Sequence, residues 1–288
     1  MSNVLEVKNL NKSYGDFCLN GLNFKLKKGY VMGFIGPNGS GKSTTIKLIM
    51  NLIKKDSGSI SIFGMDSVKD EREIKEKIGF VYDEDIFYGM LTINEMKNII
   101  ACFYKNWDED KFKEYIKHFE LNPNKVIDKL SKGMKIKFAL ALALSHGAEL
   151  IIMDEPTSGL DPAFRSELMD ILYNVIQNEE MSIFFSTHIT SDLEKIADYI
   201  TFINKGSMVF SESKEEVLQK YAIVKGASKL LDLNIRKELI GIRETASGFE
   251  ALTDNKDKAR ILFNDNCKIE KASLEDIMVY TIRGDIHV

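Results

Sequence analysis

The chain has 288 residues, 44 % of them hydrophobic and 28 % charged, with a formal net charge of −4. That length suits one large domain, or one domain with a small appendage, and the acidic balance speaks against a general nucleic-acid binder, which carries a basic excess. Cys18, Cys102 and Cys267 stand far apart, with no C-x-x-C and no neighbouring histidine; a metal cluster or a disulfide framework is not expected, and a reducing cytoplasm is.

The first fifteen residues alternate polar and apolar without a hydrophobic leader core, so no secretory leader is expected. Residues 4–7, 22–26 and 31–35 are β-rich and bounded by Gly or Asn, which predicts strands. A glycine-rich turn opens at Gly36, and apolar residues then recur at helical spacing over 44–53, completing a strand–loop–helix unit. From 92 to 147 three stretches read as helical: INEMKNIIACFYKNW, DEDKFKEYIKHFEL and KGMKIKFALALALSHG, with Pro123 marking a break between the last two. The longest apolar run, 138–144, is far short of the ~20 residues a membrane span needs. If the protein serves a membrane, another chain crosses it.

Beyond the insert, a buried strand is predicted over 149–154, a helix over 162–177, a strand over 181–186, a helix near 191–197 and a strand near 199–203. Strands alternating with helices imply a mainly parallel α/β sheet, with 92–147 inserted as a helical subdomain. After about residue 211 the pattern changes to KEEVLQKY, mixed strand-like pieces and a terminal SLEDIMVYTIRG helix. The expected division is a main unit over 1–212 and a small α/β accessory region over 213–288.

Four motifs carry chemistry. In GPNGSGKST (Gly36, Pro37, Asn38, Gly39, Ser40, Gly41, Lys42, Ser43, Thr44) the glycines let backbone N–H groups wrap phosphate oxygens, and the helix that follows adds its positive end. Lys42 can reach the β- and γ-phosphates, and the Ser43 hydroxyl can ligand Mg²⁺. In ELIIMDEPTSGLD an apolar strand delivers Asp154 to the sheet edge, where it can hold Mg²⁺ through water. Glu155 follows on the neighbouring face, where it can act as general base on a water in line with the γ-phosphate. LSKGM places Ser131 and Gly133 at a helix N-terminus, which serves equally as a plain N-cap or as a second phosphate-binding surface. His188 stands at a strand end in FFSTHIT.

The order of these motifs resembles the ABC-type ATPase family over about residues 1–212. The resemblance implies a P-loop NTPase (RecA-like) α/β core with an antiparallel β edge, ATP and Mg²⁺ as ligands, and two subunits that sandwich two ATPs head to tail. It implies that Tyr14 in KSYG stacks on adenine and that Ser131 and Gly133 contact the γ-phosphate bound by the second subunit. Residues 158–161 then couple the two sites, and His188 holds Glu155 and the γ-phosphate in register. An integral-membrane transporter subunit is the expected partner, at the inner face of the cell membrane. Two departures stand out. Asp83 occupies the place of the family's metal-contacting Gln, and the signature has Lys132 and Met134 in place of its usual residues. These and the terminal helix look like the subgroup that powers two-component exporters, with amphipathic or antimicrobial peptides such as phenol-soluble modulins as expected cargo.

Other readings are weighed against this one. An ABC-type ATPase acting on ribosomes or DNA would carry a second such domain, a long coiled coil or a zinc module. A P-loop kinase leaves LSKGM and STH unexplained, and Glu155 argues against a nucleotide-binding regulator without hydrolysis. The apolar cluster Ile86, Phe87, Tyr88 and Met90 either packs the insert on the core or forms a docking groove for the membrane subunit.

Overall fold

The computed structural model describes residues 2–82 and 87–284. An alternating pattern builds the first sheet: β1 (Asn3–Tyr14) and β2 (Phe17–Lys27) form an antiparallel hairpin. Leu22, Phe24 and Leu26 point inward, and the polar residues between them point out. β3 (Val31–Ile35) is buried at every position, as a strand covered on both faces must be, and leads through the glycine-rich loop into α1 (Lys42–Ile49). β4 (Ser57–Ile62) and β5 (Met65–Asp66) complete the first sheet in the order β2-β1-β4-β5. α2 (Glu71–Lys75) and β6 (Ile78–Val81) follow. The elements from β4 to β6 are not among those expected from the sequence.

The insert contains α3 (Ile93–Ala101), α4 (Glu109–His118) and α5 (Lys132–Ser145). The T-x-x-E pattern at its start is a capping box: Thr92 Oγ1 accepts from the Glu95 N–H at 3.2 Å and Glu95 Oε2 from the Thr92 N–H at 2.8 Å. α3 ends at Ala101, short of the expected 107, because the residues beyond it are drawn into tertiary contacts. The Tyr104 ring stacks on His146 at 3.8 Å, and the Trp107 indole donates to Glu109. α5 buries residues from Gly133 to Ser145 around its whole circumference and is a core helix, not a surface one.

β7 (Leu150–Asp154), α6 (Pro162–Ile176), β8 (Ser182–Thr187), α7 (Thr190–Ile196), β9 (Tyr199–Asn204) and β10 (Ser207–Ser213) complete the central sheet. Its order is β10-β9-β3-β8-β7-β6, parallel throughout except for β10 at the edge. Successive side chains on β7 and β8 divide between two cores. Leu150, Ile152 and Phe184 face the antiparallel sheet, with Phe24 and Phe34; Ile151, Met153 and Phe185 face the helices, with Phe138 and Leu193.

The rest of the chain forms α8 (Lys214–Lys220), β11 (Ala222–Gly226), α9 (Leu233–Arg236), β12 (Ile240–Thr245), β13 (Gly248–Thr253), α10 (Lys256–Phe263), β14 (Cys267–Lys271) and α11 (Leu274–Gly284). The four strands make an antiparallel sheet, β12-β13-β11-β14. One face closes a small core of Val224, Phe249, Ala251 and Phe263. Ile223 and Leu252 on the other face join Leu274 and Ile277 of α11 and, through them, the core that contains Leu193 of α7.

Candidate functional site

The loop between β3 and α1 is pressed against its surroundings at the glycines. A side chain at Gly36 would meet the Ile203 carbonyl oxygen at 2.3 Å. At Gly41, where φ is +110°, one would strike the Phe17 ring and Leu19. That close packing brings the loop to the edge of a cleft lined by Phe17, Asn38, Gly39, Gly41, Lys42, Ser43, Thr44 and Glu155. The Ser40 hydroxyl is buried within the loop beside Gly36, where a side chain would meet it at 2.6 Å, and has no hydrogen-bond partner. Lys42 is the first residue of α1 and is buried. Its ammonium donates to the carbonyls of Gly36 at 2.7 Å and Pro37 at 3.2 Å, and it lies 3.1 Å from Glu155 Oε1. An orphaned hydroxyl in the loop and a buried ammonium at the cleft fit a polyphosphate chain.

Two consecutive acids at the end of β7 face the loop. Asp154 is only 4 % exposed, and its Oδ1 accepts from Ser186 Oγ at 2.6 Å; Ser43 also hydrogen-bonds to it. Burial pushes its carboxyl above the ordinary value, against the pull of the Ser186 and Ser43 hydrogen bonds. A desolvated carboxylate next to the Ser43 hydroxyl fits a divalent cation. No group of three or more acidic, His or Cys side chains among the described residues can hold one unaided, so phosphate oxygens would supply the remaining ligands.

Glu155 adopts the left-handed backbone region, φ +46°, a conformation that costs a non-glycine residue about 1–3 kcal/mol. Its own N–H, shared between the Ser186 carbonyl and hydroxyl at 3.1 Å each, holds it there. Oε2 accepts from the His188 N–H at 3.2 Å and lies 2.8 Å from His188 Nδ1. An ionised carboxylate only accepts, so Nδ1 carries the proton of that contact. Oε1 is within ion-pair distance of Lys42 yet receives no directed hydrogen bond. The Lys42 contact is therefore Coulombic, and one acceptor of Glu155 stays free.

The structure brings Lys42, Ser43, Asp154, Glu155 and His188 together and leaves Ser131 and Gly133 outside the cleft lining. Ser131 is exposed, and its hydroxyl caps α5 by accepting from the Met134 N–H at 3.2 Å. Gly133 is buried under the Phe164 ring, which a side chain there would meet at 2.8 Å. Tyr14 is exposed at the tip of the first hairpin, with the Lys12 ammonium 5.1 Å from its ring centre. Its cross-strand neighbour Phe17 is the aromatic that lines the cleft, a residue the sequence reading missed. Missed too is Ser186, which touches both acids; its signal was its place two residues before His188.

Asp83, expected at the metal, lies outside the described residues, as does Ile86 of the apolar cluster. The rest of that cluster divides. Phe87 packs on Phe138 with ring centres 4.9 Å apart, so it belongs to the core, whereas Tyr88 and Met90 are 68 % and 88 % exposed.

Comparison with known proteins adds independent findings. A family model described as ABC transporter matches residues 19–158. The bacitracin transport ATP-binding protein BcrA of Bacillus licheniformis is 36 % identical over 214 residues, which are 73 % of this chain and 69 % of that protein. The lantibiotic transport ATP-binding protein SrtF of Streptococcus pyogenes is 35 % identical over 223 residues, 74 % of this chain and 95 % of the relative. Among solved structures, an ATP-binding subunit of an ABC transporter superposes with a TM-score of 0.68 at 27 % identity, covering 75 % of this chain and 92 % of that one. CbiO1 of Clostridium perfringens, part of the ABC transporter complex cbiONQ, gives 0.66 at 26 % identity, over 76 % and 92 %.

Proposed function

This chain belongs to the ATP-binding subunits of ABC transporters, which hydrolyse ATP to power transport, and on that premise we propose the residue roles, cargo and partners that follow. In this conformation the phosphate seat is held by Lys42, tied to Gly36, Pro37 and Glu155. Arriving phosphates compete for that ammonium and draw it off Glu155. Glu155 then keeps its two His188 donors and turns its free oxygen to a water, which it deprotonates as general base. His188 keeps the carboxylate in register, and Tyr14 stacks on adenine. Ser43 and Asp154 would hold Mg²⁺, which when bound neutralises charge on the β- and γ-phosphates. The nucleotide-binding unit spans 1–212, with 213–288 accessory to it.

ABC ATP-binding subunits dimerise and work with a membrane permease. In the proposed dimer Ser131 and Gly133 complete the second subunit's site, which accords with their position outside this chain's own cleft. None of the described helices is long and apolar enough to cross a membrane. A separate permease at the inner face of the cell membrane fits that observation, and the exposed Tyr88 and Met90 offer it an apolar contact. The names of the bacitracin and lantibiotic transport relatives support export of amphipathic or antimicrobial peptides. An ABC-type ATPase without transport is not favoured.

The clamp of Lys42 and His188 on Glu155 carries the catalytic reading. Glu155→Gln is expected to keep ATP binding, lose ~10²- to 10⁴-fold in turnover and accumulate as an ATP-bound dimer on size-exclusion chromatography. Near-normal turnover in that variant removes Glu155 from the role. For the partner, Tyr88→Ala is expected to weaken permease binding by more than tenfold, about 2 kcal/mol, with ATP affinity unchanged. Unchanged complex formation moves the docking surface elsewhere.

A further inference from the structure

We propose that Arg165 and Asp192 are positioning residues for hydrolysis. Their ion pair fixes the loop 158–161 to the turn that carries His188, and so sets where His188 holds Glu155. The proposal rests on the hydrolytic reading above.

Asp192 lies four residues beyond His188, in the first turn of α7, and is 2 % exposed. Its Oδ1 accepts from Arg165 Nε at 2.7 Å, and the same guanidinium donates through Nη2 to Ser191 Oγ at 2.9 Å. Arg165 lies four residues beyond Asp161, the N-cap of α6, and its N–H donates to the Asp161 carbonyl at 3.0 Å. Each end of the pair is thus four residues from a segment that touches Glu155. On one side the Ser158 N–H donates to the Glu155 carbonyl at 3.1 Å; on the other His188 grips the Glu155 carboxylate.

Stability is a poor account of this pair. Asp192 Oδ2 is buried and accepts nothing, and a buried carboxylate with half its capacity unused gains little over an apolar pair of the same volume. What the pair does supply is geometry. A planar guanidinium gripping two adjacent residues fixes angle as well as distance, which a lysine ammonium cannot do. α7 is also constrained elsewhere. Leu193 packs so closely on β3 that a side chain at Gly33 would meet it at 2.5 Å, and Glu194 accepts from the Leu274 N–H of α11 at 3.0 Å. Displacing the loop 158–161 therefore swings the start of α7, and with it His188, about those anchors.

The test is single-turnover ATP hydrolysis by the full-length chain, where small residual rates stay measurable. Arg165→Gln, Arg165→Lys and Asp192→Asn are each measured alone and combined with His188→Ala, with thermal melts of every variant. Arg165→Gln should lose ~10- to 100-fold in rate with ATP affinity unchanged, the size of effect a misplaced catalytic group produces. It should cost nothing further in the His188→Ala background, and Arg165→Lys should restore part of the rate. Losses that multiply with His188→Ala overturn the proposal. So does a change confined to ATP affinity, and so does unfolding of every variant, which makes the pair a structural tie. Glu155→Gln measured alongside separates the two readings. Retained turnover there defeats the general base, whereas an inactive Glu155→Gln with multiplicative Arg165 losses defeats only the positioning role.

Discussion

In the cleft at the ends of β3, β7 and β8, charge is withdrawn from water. Lys42 and Asp154 are buried, and Glu155, held at a left-handed φ, keeps Oε1 without a hydrogen-bond partner. In the C-terminal sheet the charges are laid on the outside. Lys225 sits between Glu250 at 3.3 Å and Glu270 at 2.9 Å, and Lys268 reaches Glu270 at 2.6 Å, while the inner faces are apolar. The first arrangement stores unmet electrostatic demand for a ligand to satisfy; the second leaves none. Substitutions in the cleft should therefore change turnover more than folding, and substitutions in the C-terminal sheet should do the reverse.

The sharpest challenge to that contrast is Phe249→Ala. Phe249 fills the small C-terminal core, with its ring centre 6.2 Å from that of Phe263. Emptying the site should destabilise that region by about 3–5 kcal/mol, seen as an earlier transition in a thermal melt. ATP turnover per folded molecule, measured below that transition, should be unchanged. If turnover falls with Phe249 gone, the shared core of Leu274, Ile277 and Leu193 ties the two regions into one unit, and the contrast fails.

Legibility in the sequence follows the same divide. The helices α5 and α6 and the buried strands β3, β7 and β8 could be read to within a residue or two, because propensity, pattern and burial agree there. Lys42, Asp154, Glu155 and His188, which the structure brings together, could be picked out as candidates from their motifs. What escaped depends on distant partners. Phe17 lines the cleft only because the first hairpin folds over Gly41, and Ser186 meets Asp154 only across the β7–β8 pairing. The Arg165–Asp192 pair joins residues 27 apart, on separate helices. Strands β11 to β14 alternate too briefly to declare a sheet order.

Asp154→Asn tests the stored electrostatic demand directly. Burial raises the folded-state pKa of this acid above its unfolded value. The folded protein thus takes up that proton more readily than the unfolded chain, and the ionised side chain costs stability at neutral pH. That cost disappears as pH falls through the folded pKa. Asparagine keeps an acceptor for Ser186 and Ser43 without the charge. Nucleotide-free Asp154→Asn should accordingly melt at a higher temperature than the parent at pH 7.5, with the gap closing as the pH is lowered, while ATP hydrolysis is lost. A lower melting temperature at neutral pH would mean that the carboxylate is already satisfied without a ligand.

Glu270→Gln is expected to have the smallest effect. Hydrogen bonds from Lys268 and Lys225 draw the Glu270 carboxyl down to about 2. With a folded pKa below the unfolded one, the stabilisation is fully present above the unfolded value. It is lost as pH falls from the ordinary carboxylate range through about 2. At neutral pH the pairing is intact, yet the side chain lies on the sheet surface, half-buried, where water and salt screen it, so its net worth is small. Glu270→Gln should lower the melting temperature slightly in dilute buffer and not at all in ~1 M salt, where screening acts over about 3 Å. Below about pH 2 the parent has lost the interaction as well, and the two proteins should melt alike. ATP turnover should be indifferent throughout. A large, salt-resistant loss of stability would show that this surface network carries weight comparable to the buried charges of the cleft, and the opposition between the two regions would have to be redrawn around Lys225, which bridges β13 and β14 from β11 between them.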